Sequence, residues 1–138
     1  MLKQQFTLYL ENKPGQLAKI TNKLASAKVN LEGISVANSA DVALVQLVVD
    51  KAAATRKILN DVGVAFTVQQ VAIVPLVNRP GALADITTKL AKAKVNINYV
   101  YATACDCTGK CSCYAIISAP DLKKVEAIWK GPKKATKK

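Results

Sequence analysis

The chain has 138 residues, is 51% apolar with few aromatics, and carries a formal net charge of +11. That length allows one or two small domains, and the composition is that of a folded chain and not a disordered one. No apolar run approaches the roughly 20 residues a bilayer-spanning helix needs, and the absence of histidine removes His-based triads and His-ligated metals.

Gln5 to Leu10 alternates, with Phe6, Leu8 and Leu10 on one side, and predicts a strand. Asn12-Lys13-Pro14-Gly15 breaks it: Pro suits a first helical turn and Gly allows close backbone approach. Leu17, Ile20, Leu24 and Ala27 then recur at helical spacing as one apolar stripe. Val29 to Ala37 and Val42 to Val49 predict two strands, turning at Asn38-Ser39-Ala40-Asp41. Asp50 is expected to cap a second helix whose stripe includes Thr55, Ile58, Leu59 and Val62, with Gly63 as its stop. Val64 to Val68 predicts a fourth strand. The order β-α-β-β-α-β is the split βαβ of ferredoxin-like α+β folds.

The chain then repeats itself. Asn78-Arg79-Pro80-Gly81-Ala82-Leu83-Ala84-Asp85-Ile86 follows Asn12 to Ile20 at an offset of 66, and 14 of the 19 positions from 12 to 30 are identical in the second copy. A common fold class repeats periodicity but not particular Asn, Pro, Gly and Lys positions, so two copies of one unit are expected. The expected division is 1–69, 70–131 and a basic tail, 132–138. In the second copy Val71 to Val77 is the first strand, and Leu83, Ile86, Leu90 and Ala93 form the first helix stripe. Asn96 to Ala104 and Tyr114 to Ser118 are the hairpin strands. Pro120 opens a helix with Leu122, Val125, Ile128 and Trp129 inward, and Gly131 stops it. Pro132 and lysines follow where a fourth strand would stand. The second unit therefore lacks its last strand, and the bare edge of its first strand is expected to be covered by another segment or a second subunit.

Two units that each open their first helix with Asn-basic-Pro-Gly-x-Leu-Ala and their second strand with Val-Asn-aliphatic resemble ACT domains. The likeness is closest to stand-alone tandem ACT proteins without a catalytic domain, and covers about residues 4–130. It implies a non-catalytic regulatory protein that binds an amino acid or related small effector at an interface between ACT units, with no cofactor required and a homodimer expected. Beyond the resemblance, first-turn amides at Gly15, Gln16 and Leu17, and at Gly81, Ala82 and Leu83, lack intrahelical partners and suit an α-carboxylate. The family's placement of its effector carries over to Asn12, Pro14, Gly15, Gln16, Leu17 and Asn30, and to Asn78, Pro80, Gly81, Ala82, Leu83, Asn96 and Asn98. Asn-x-Pro-Gly is also explained as a plain strand-to-helix turn with an Asn cap. The side-chain end of the pocket is expected on the second strands, where Leu31, Gly33 and Ser35 become Ile97, Tyr99 and Tyr101.

All four cysteines, Cys105, Cys107, Cys111 and Cys113, sit in a hairpin about five residues longer than its counterpart. With Thr108-Gly109-Lys110 as the loop, Cys107 faces Cys111 and Cys105 faces Cys113, with cross-strand Cβ atoms about 4.5–5.5 Å apart. Three readings stand side by side: a Zn or Cu(I) thiolate site, cross-strand disulfides on an ACT-like scaffold, or reduced thiols in a variable loop. Lys130, Lys133, Lys134, Lys137 and Lys138 form an acid-free tail. No aromatic residue interleaves these lysines to stack bases, so a solvated end is expected and a nucleic-acid contact is not. The first fifteen residues hold Lys3, Glu11 and Lys13 and no clean apolar block, so a cytoplasmic chain without a signal peptide or membrane contact is expected. The regulated partner is not specified by these residues.

Overall fold

The computed structural model describes residues 1–103 and 113–130. The described residues form six strands and four helices in two compact units. One unit is Gln4–Gln69; the other joins Met1–Lys3 to the chain from Gln70 onward.

In the first unit the strand order is β2–β3–β1–β4, built from β1 (Leu2–Glu11), β2 (Leu31–Ser39), β3 (Val42–Val49) and the start of β4 (Ala65–Pro75). β1 and β3 pair antiparallel with Phe6 opposite Leu47 and Leu8 opposite Val45. Directly opposed residues share a face, and this face is the buried one. It meets Ile20 and Leu24 of α1 (Gln16–Ser26) and Leu59 of α2 (Ala52–Val62) in one core. The Phe6 and Phe66 rings lie 5.9 Å apart and tilted within it. Burial of these aliphatic side chains contributes roughly 1.5–3 kcal/mol each and is the main force holding the helices to the sheet.

Both ends of α1 are set by backbone geometry. Gly15 starts it at φ 87° and Lys28 follows it at φ 54°, both left-handed. Lys28 N–H donates to Ala25 O (2.9 Å) and Val29 N–H to Leu24 O (3.0 Å), which satisfies the last carbonyls. Gly63 ends α2 at φ 77° in the same way, as its position in the sequence predicts. Asp50 does not cap α2. Its carboxylate accepts the Asn30 N–H at 2.9 Å while Asn30 O accepts the Asp50 N–H at 3.1 Å, and α2 starts at Lys51 without a side-chain cap. The two-way bond ties the start of β2 to the end of β3, a long-range demand that overrides local capping.

The second unit uses β4, β6 (Tyr114–Ser118) and β5 (Tyr99–Ala102) in that order, with α3 (Ala82–Lys92) and α4 (Leu122–Lys130). Ala72 opposes Ile117 and Val74 opposes Ala115, and these residues pack with Ile86, Leu90 and Val125. The segments expected as separate strands at Val64–Val68 and Val71–Val77 are one strand, β4. The expected bare edge is filled by the start of the chain. Ile73 N–H donates to Met1 O at 2.7 Å, the Met1 ammonium donates to Ile73 O at 3.2 Å, and Leu2 packs against the second core. Met1–Lys3 thus does for the second unit what a fourth strand would do. No helix among the described residues is long and apolar enough to cross a membrane.

Candidate functional site

Each unit turns from its first strand into its first helix through a glycine. Gly15 and Gly81 stand at φ 87° and 85°, a conformation an L side chain adopts only under strain. At Gly15 a Cβ would meet nothing within 4 Å, so the backbone conformation, and not crowding, calls for glycine there. Neither helix start has a side-chain cap.

The bend uses part of its own hydrogen-bonding capacity. Gln16 N–H reaches Lys13 O at 3.4 Å and Ala82 N–H reaches Arg79 O at 3.3 Å, so those two amides, expected to be open, are engaged by the turn. Lys19 N–H already donates to Gly15 O, and Asp85 N–H to Gly81 O. Leu17 and Ala18, with Leu83 and Ala84, are then the first-turn amides that precede the regular helical ladder.

Asn12 is committed elsewhere. Its Nδ2 donates to Ala40 O at 3.1 Å and its N–H to Asp41 O at 2.9 Å, which pins the β2–β3 turn against the bend. Pro14 and Gly15 are exposed, and Gln16 and Leu17 are half-buried. Asn30 is exposed and held through its backbone by Asp50. In the second unit Asn78, Pro80, Gly81 and Leu83 are exposed and Ala82 is buried. Asn96 and Asn98 are exposed, and Asn98 N–H donates to Ser118 O at 2.8 Å.

Cavities lie beside both bends. In the first unit one of about 330 Å³ is lined by Tyr9, Leu10, Glu11, Gln16, Lys19 and Ile20 together with Val62–Ala65. In the second unit one of about 170 Å³ is lined by Pro75, Leu76, Val77, Arg79, Ala82, Asp85, Ile86, Lys89 and Trp129. A smaller one of about 110 Å³ touches Asn78, Arg79, Ala82, Leu83, Thr103 and Cys113. Asn12, Pro14, Gly15, Leu17 and Asn30 do not line the first-unit cavity. Gly33 and Ser35 oppose Val48 and Gln46, and Tyr99 and Tyr101 oppose Ser118 and Ile116, on the sheet faces away from the helices. They line none of these three cavities. Tyr99 and Tyr101 stack there at 6.4 Å, and burial, with the Tyr99 phenol adding, pushes the Tyr101 phenol above its ordinary range.

The electrostatics of the bends differ. Arg79 donates to Pro80 O at 3.1 Å and pairs with Asp85, so the second bend carries its own ion pair. In the first bend Lys13 pairs with Glu11 at 3.1 Å, and Lys19, at the position of Asp85, has no ion pair among the described residues. Glu11, Lys19 and the end of α2 were not singled out from sequence. The available signal was the set of positions where the copies differ, which includes Gln16 against Ala82 and Lys19 against Asp85. Cys113 is buried; Cys105, Cys107 and Cys111, on which the metal, disulfide and reduced-thiol readings equally depend, lie outside the described residues.

Protein BT0572 from Bacteroides thetaiotaomicron matches this fold with a TM-score of 0.82 and 28% identity, over 94% of this chain and 88% of that one. The regulatory subunit of aspartate kinase from Thermus thermophilus, in a ligand-free form, matches with a TM-score of 0.64 and 19% identity over 94% of each chain. Its counterpart from Thermus flavus gives 0.58 and 17%, over 94% and 93%; the two subunits show the fold alone. No curated protein matches the chain. A family model described as an ACT domain pair matches residues 1–113, and the chain belongs to that family.

Proposed function

We propose that this chain is a non-catalytic regulatory protein that binds a free amino acid or a related small effector beside its strand-to-helix bends. The carrying observation is the helix start at a left-handed glycine, without a side-chain cap and with a cavity beside it, present in both units. The first-turn amides and the positive end of the helix dipole favour a carboxylate. Family membership supports the regulatory role. The regulatory subunits of aspartate kinase share the fold.

Regulation requires that the effector favour one of two arrangements. A second copy of this chain is the proposed element of that switch. β2 and β5 end the strand order, and β2 presents Ile34 and Val36 at 41% and 50% exposure. Light scattering with and without effector checks this element: a particle of one chain mass under both conditions would remove it.

The effector itself is tested by thermal unfolding against the twenty amino acids. A ligand at 100 times its dissociation constant adds about 2.7 kcal/mol of stability. A flat response to all twenty would end the amino-acid reading.

A further inference from the structure

Lysines gather at the same place in both units, where the first helix ends and the second begins. In the first unit Lys28, just past α1, and Lys51, at the start of α2, meet directly. The Lys51 ammonium donates to Lys28 O at 2.7 Å, which leaves further N–H groups on that ammonium. Lys23 stands in the last turn of α1. In the second unit Lys89 and Lys94 are the counterparts of Lys23 and Lys28 at the offset of 66, and Lys92, Lys123 and Lys124 join them. Asn98 N–H donates to Ser118 O at 2.8 Å, joining the segment after α3 to the segment before α4.

All of these lysines are exposed, and none has an ion pair among the described residues. The carboxylates of the segments that lead into α2 and α4 are engaged by backbone: Asp50 accepts the Asn30 N–H and Asp121 the Lys124 N–H. Glu126 pairs with Lys130.

Local structure does not call for lysine at several of these positions. Lys28 and Lys94 stand at φ 54° and 55°, where glycine is favoured. Lys51 starts α2, where Ser, Thr, Asn or Asp is favoured and a cation meets the positive end of the helix dipole. The charge there carries a local cost, and an anionic partner would offset it.

The chemistry of the surface selects the partner. A lipid surface is met by apolar side chains set beside the lysines. No exposed large apolar side chain lies on α1, α2 or α4, and the one on α3, Leu83, stands in its first turn, at the far end. Single strands and splayed RNA bases stack on aromatic rings, and none of the helices exposes one. Asn22, Ser26 and Thr88 are exposed on the same helices, side chains of the kind that bond phosphate oxygens. Duplex DNA can be held through its phosphates alone.

We infer that the lysine-bearing ends of the helix layers dock the phosphate backbone of duplex DNA without reading its sequence. The tail lysines lack aromatics for a base contact; this surface needs none.

The test is fluorescence anisotropy of the full chain with a labelled DNA duplex of about 20 base pairs, from roughly 50 to 200 mM salt. Micromolar binding that weakens steeply with salt is expected. Lys28→Gly combined with Lys94→Gly removes both charges and gives each position its favoured residue. Affinity should fall at least about tenfold and the logarithmic salt slope flatten by about 2, with no loss of thermal stability. Lys13→Ala combined with Lys130→Ala removes the same charge at the opposite ends of α1 and α4. Those helices are 11 and 9 residues long, so the ends are about 13–16 Å apart, beyond the screening length of about 8 Å, and affinity should stay within about threefold. Lys51→Ser, which supplies a cap, should weaken binding like the glycine pair. Equal losses in the two double variants would reduce the effect to net charge and overturn the inference. So would no binding to the duplex, or tighter binding to an RNA duplex of the same sequence or to vesicles of phosphatidylserine and phosphatidylcholine.

Discussion

The two units are a natural pair of variants on one backbone, and they settle the same problems by different means. The first closes its sheet with its own fourth strand; the second borrows Met1–Lys3. The first pairs Lys13 with Glu11, ahead of a helix whose first turn holds no acid; the second pairs Arg79 with Asp85, inside the first turn of its helix. The unit that is complete in its sheet has the larger cavity, about 330 Å³ against about 170 Å³ in the unit whose edge Met1–Lys3 covers. The repeated residues determine the scaffold, and those that differ change the charge and lining of the cavities beside its bends.

Core substitution should break the pair most strongly. Leu24 and Leu90 are equivalent, at 1% and 0% exposure. Either change to Ala removes buried methyl groups and leaves a cavity, for an expected loss of about 3–4 kcal/mol. The single tryptophan, Trp129, belongs to the second unit, so its fluorescence reports on that unit. Urea unfolding should show the Trp129 transition shifted strongly by Leu90→Ala and less by Leu24→Ala. An equal shift for both would mean that the units unfold as one cooperative block.

Next in size is removal of Met1–Lys3. Two backbone hydrogen bonds to Ile73 are lost, worth about 1 kcal/mol each. Leu2 is also removed from the second core. A loss of about 2–3 kcal/mol is expected in the Trp129 transition. Hydrogen exchange should quicken at Ile73 and stay unchanged at Leu47. Protection at Ile73 that survives the truncation would show the edge to be covered by something else.

The strand-borrowing also marks where sequence reasoning runs out. The 14 identities between copies made the double unit and both glycine bends legible, because Pro-Gly chemistry and helical periodicity act over a few residues. The expectation of a missing fourth strand, read from Pro132 and the lysines after Gly131, falls outside the described residues. What covers the edge of β4 was not legible, since Met1–Lys3 lies some seventy residues away in the chain and carries no local sign of its partner. Asp50 was misjudged for the same reason: its local context fits a helix cap, and only the long-range pairing with Asn30 explains its geometry. Candidate ligand groups were sought at repeated positions, Asn12 and Asn30 among them, and the fold uses both to tie its hairpin. Lys19, which does line the first cavity, is where the repeat is broken.

Both units also share a defect that can be corrected. Lys28 and Lys94 follow their helices at φ 54° and 55°, where glycine is favoured. Their backbone bonds do not depend on the side chain, and the Lys28 carbonyl that accepts the Lys51 ammonium at 2.7 Å survives replacement. Lys28→Gly and Lys94→Gly should each stabilise by up to about 1 kcal/mol, the left-handed penalty partly offset by the added freedom of glycine in the unfolded chain. Destabilisation by either would show the lysine side chain itself to be stabilising.

The smallest expected effect on stability is also the sharpest on the comparison. Lys19→Asp gives the first unit the charge that the second carries at Asp85. An acid in the first turn of α1 meets the positive end of the helix dipole, and at the position of Asp85, which pairs with Arg79, it would compete with Glu11 for Lys13. Both terms act at exposed groups, so a gain of about 0.5 kcal/mol is expected and no more. In a unit of this size that is a rise of about 2–4 °C in Tm. The same charge repels a carboxylate, so amino-acid binding should disappear as stability rises. The two changes must have opposite signs, because the acid satisfies the helix end in the way the ligand would. A stabilised Lys19→Asp protein that still binds would separate the helix start from the binding site.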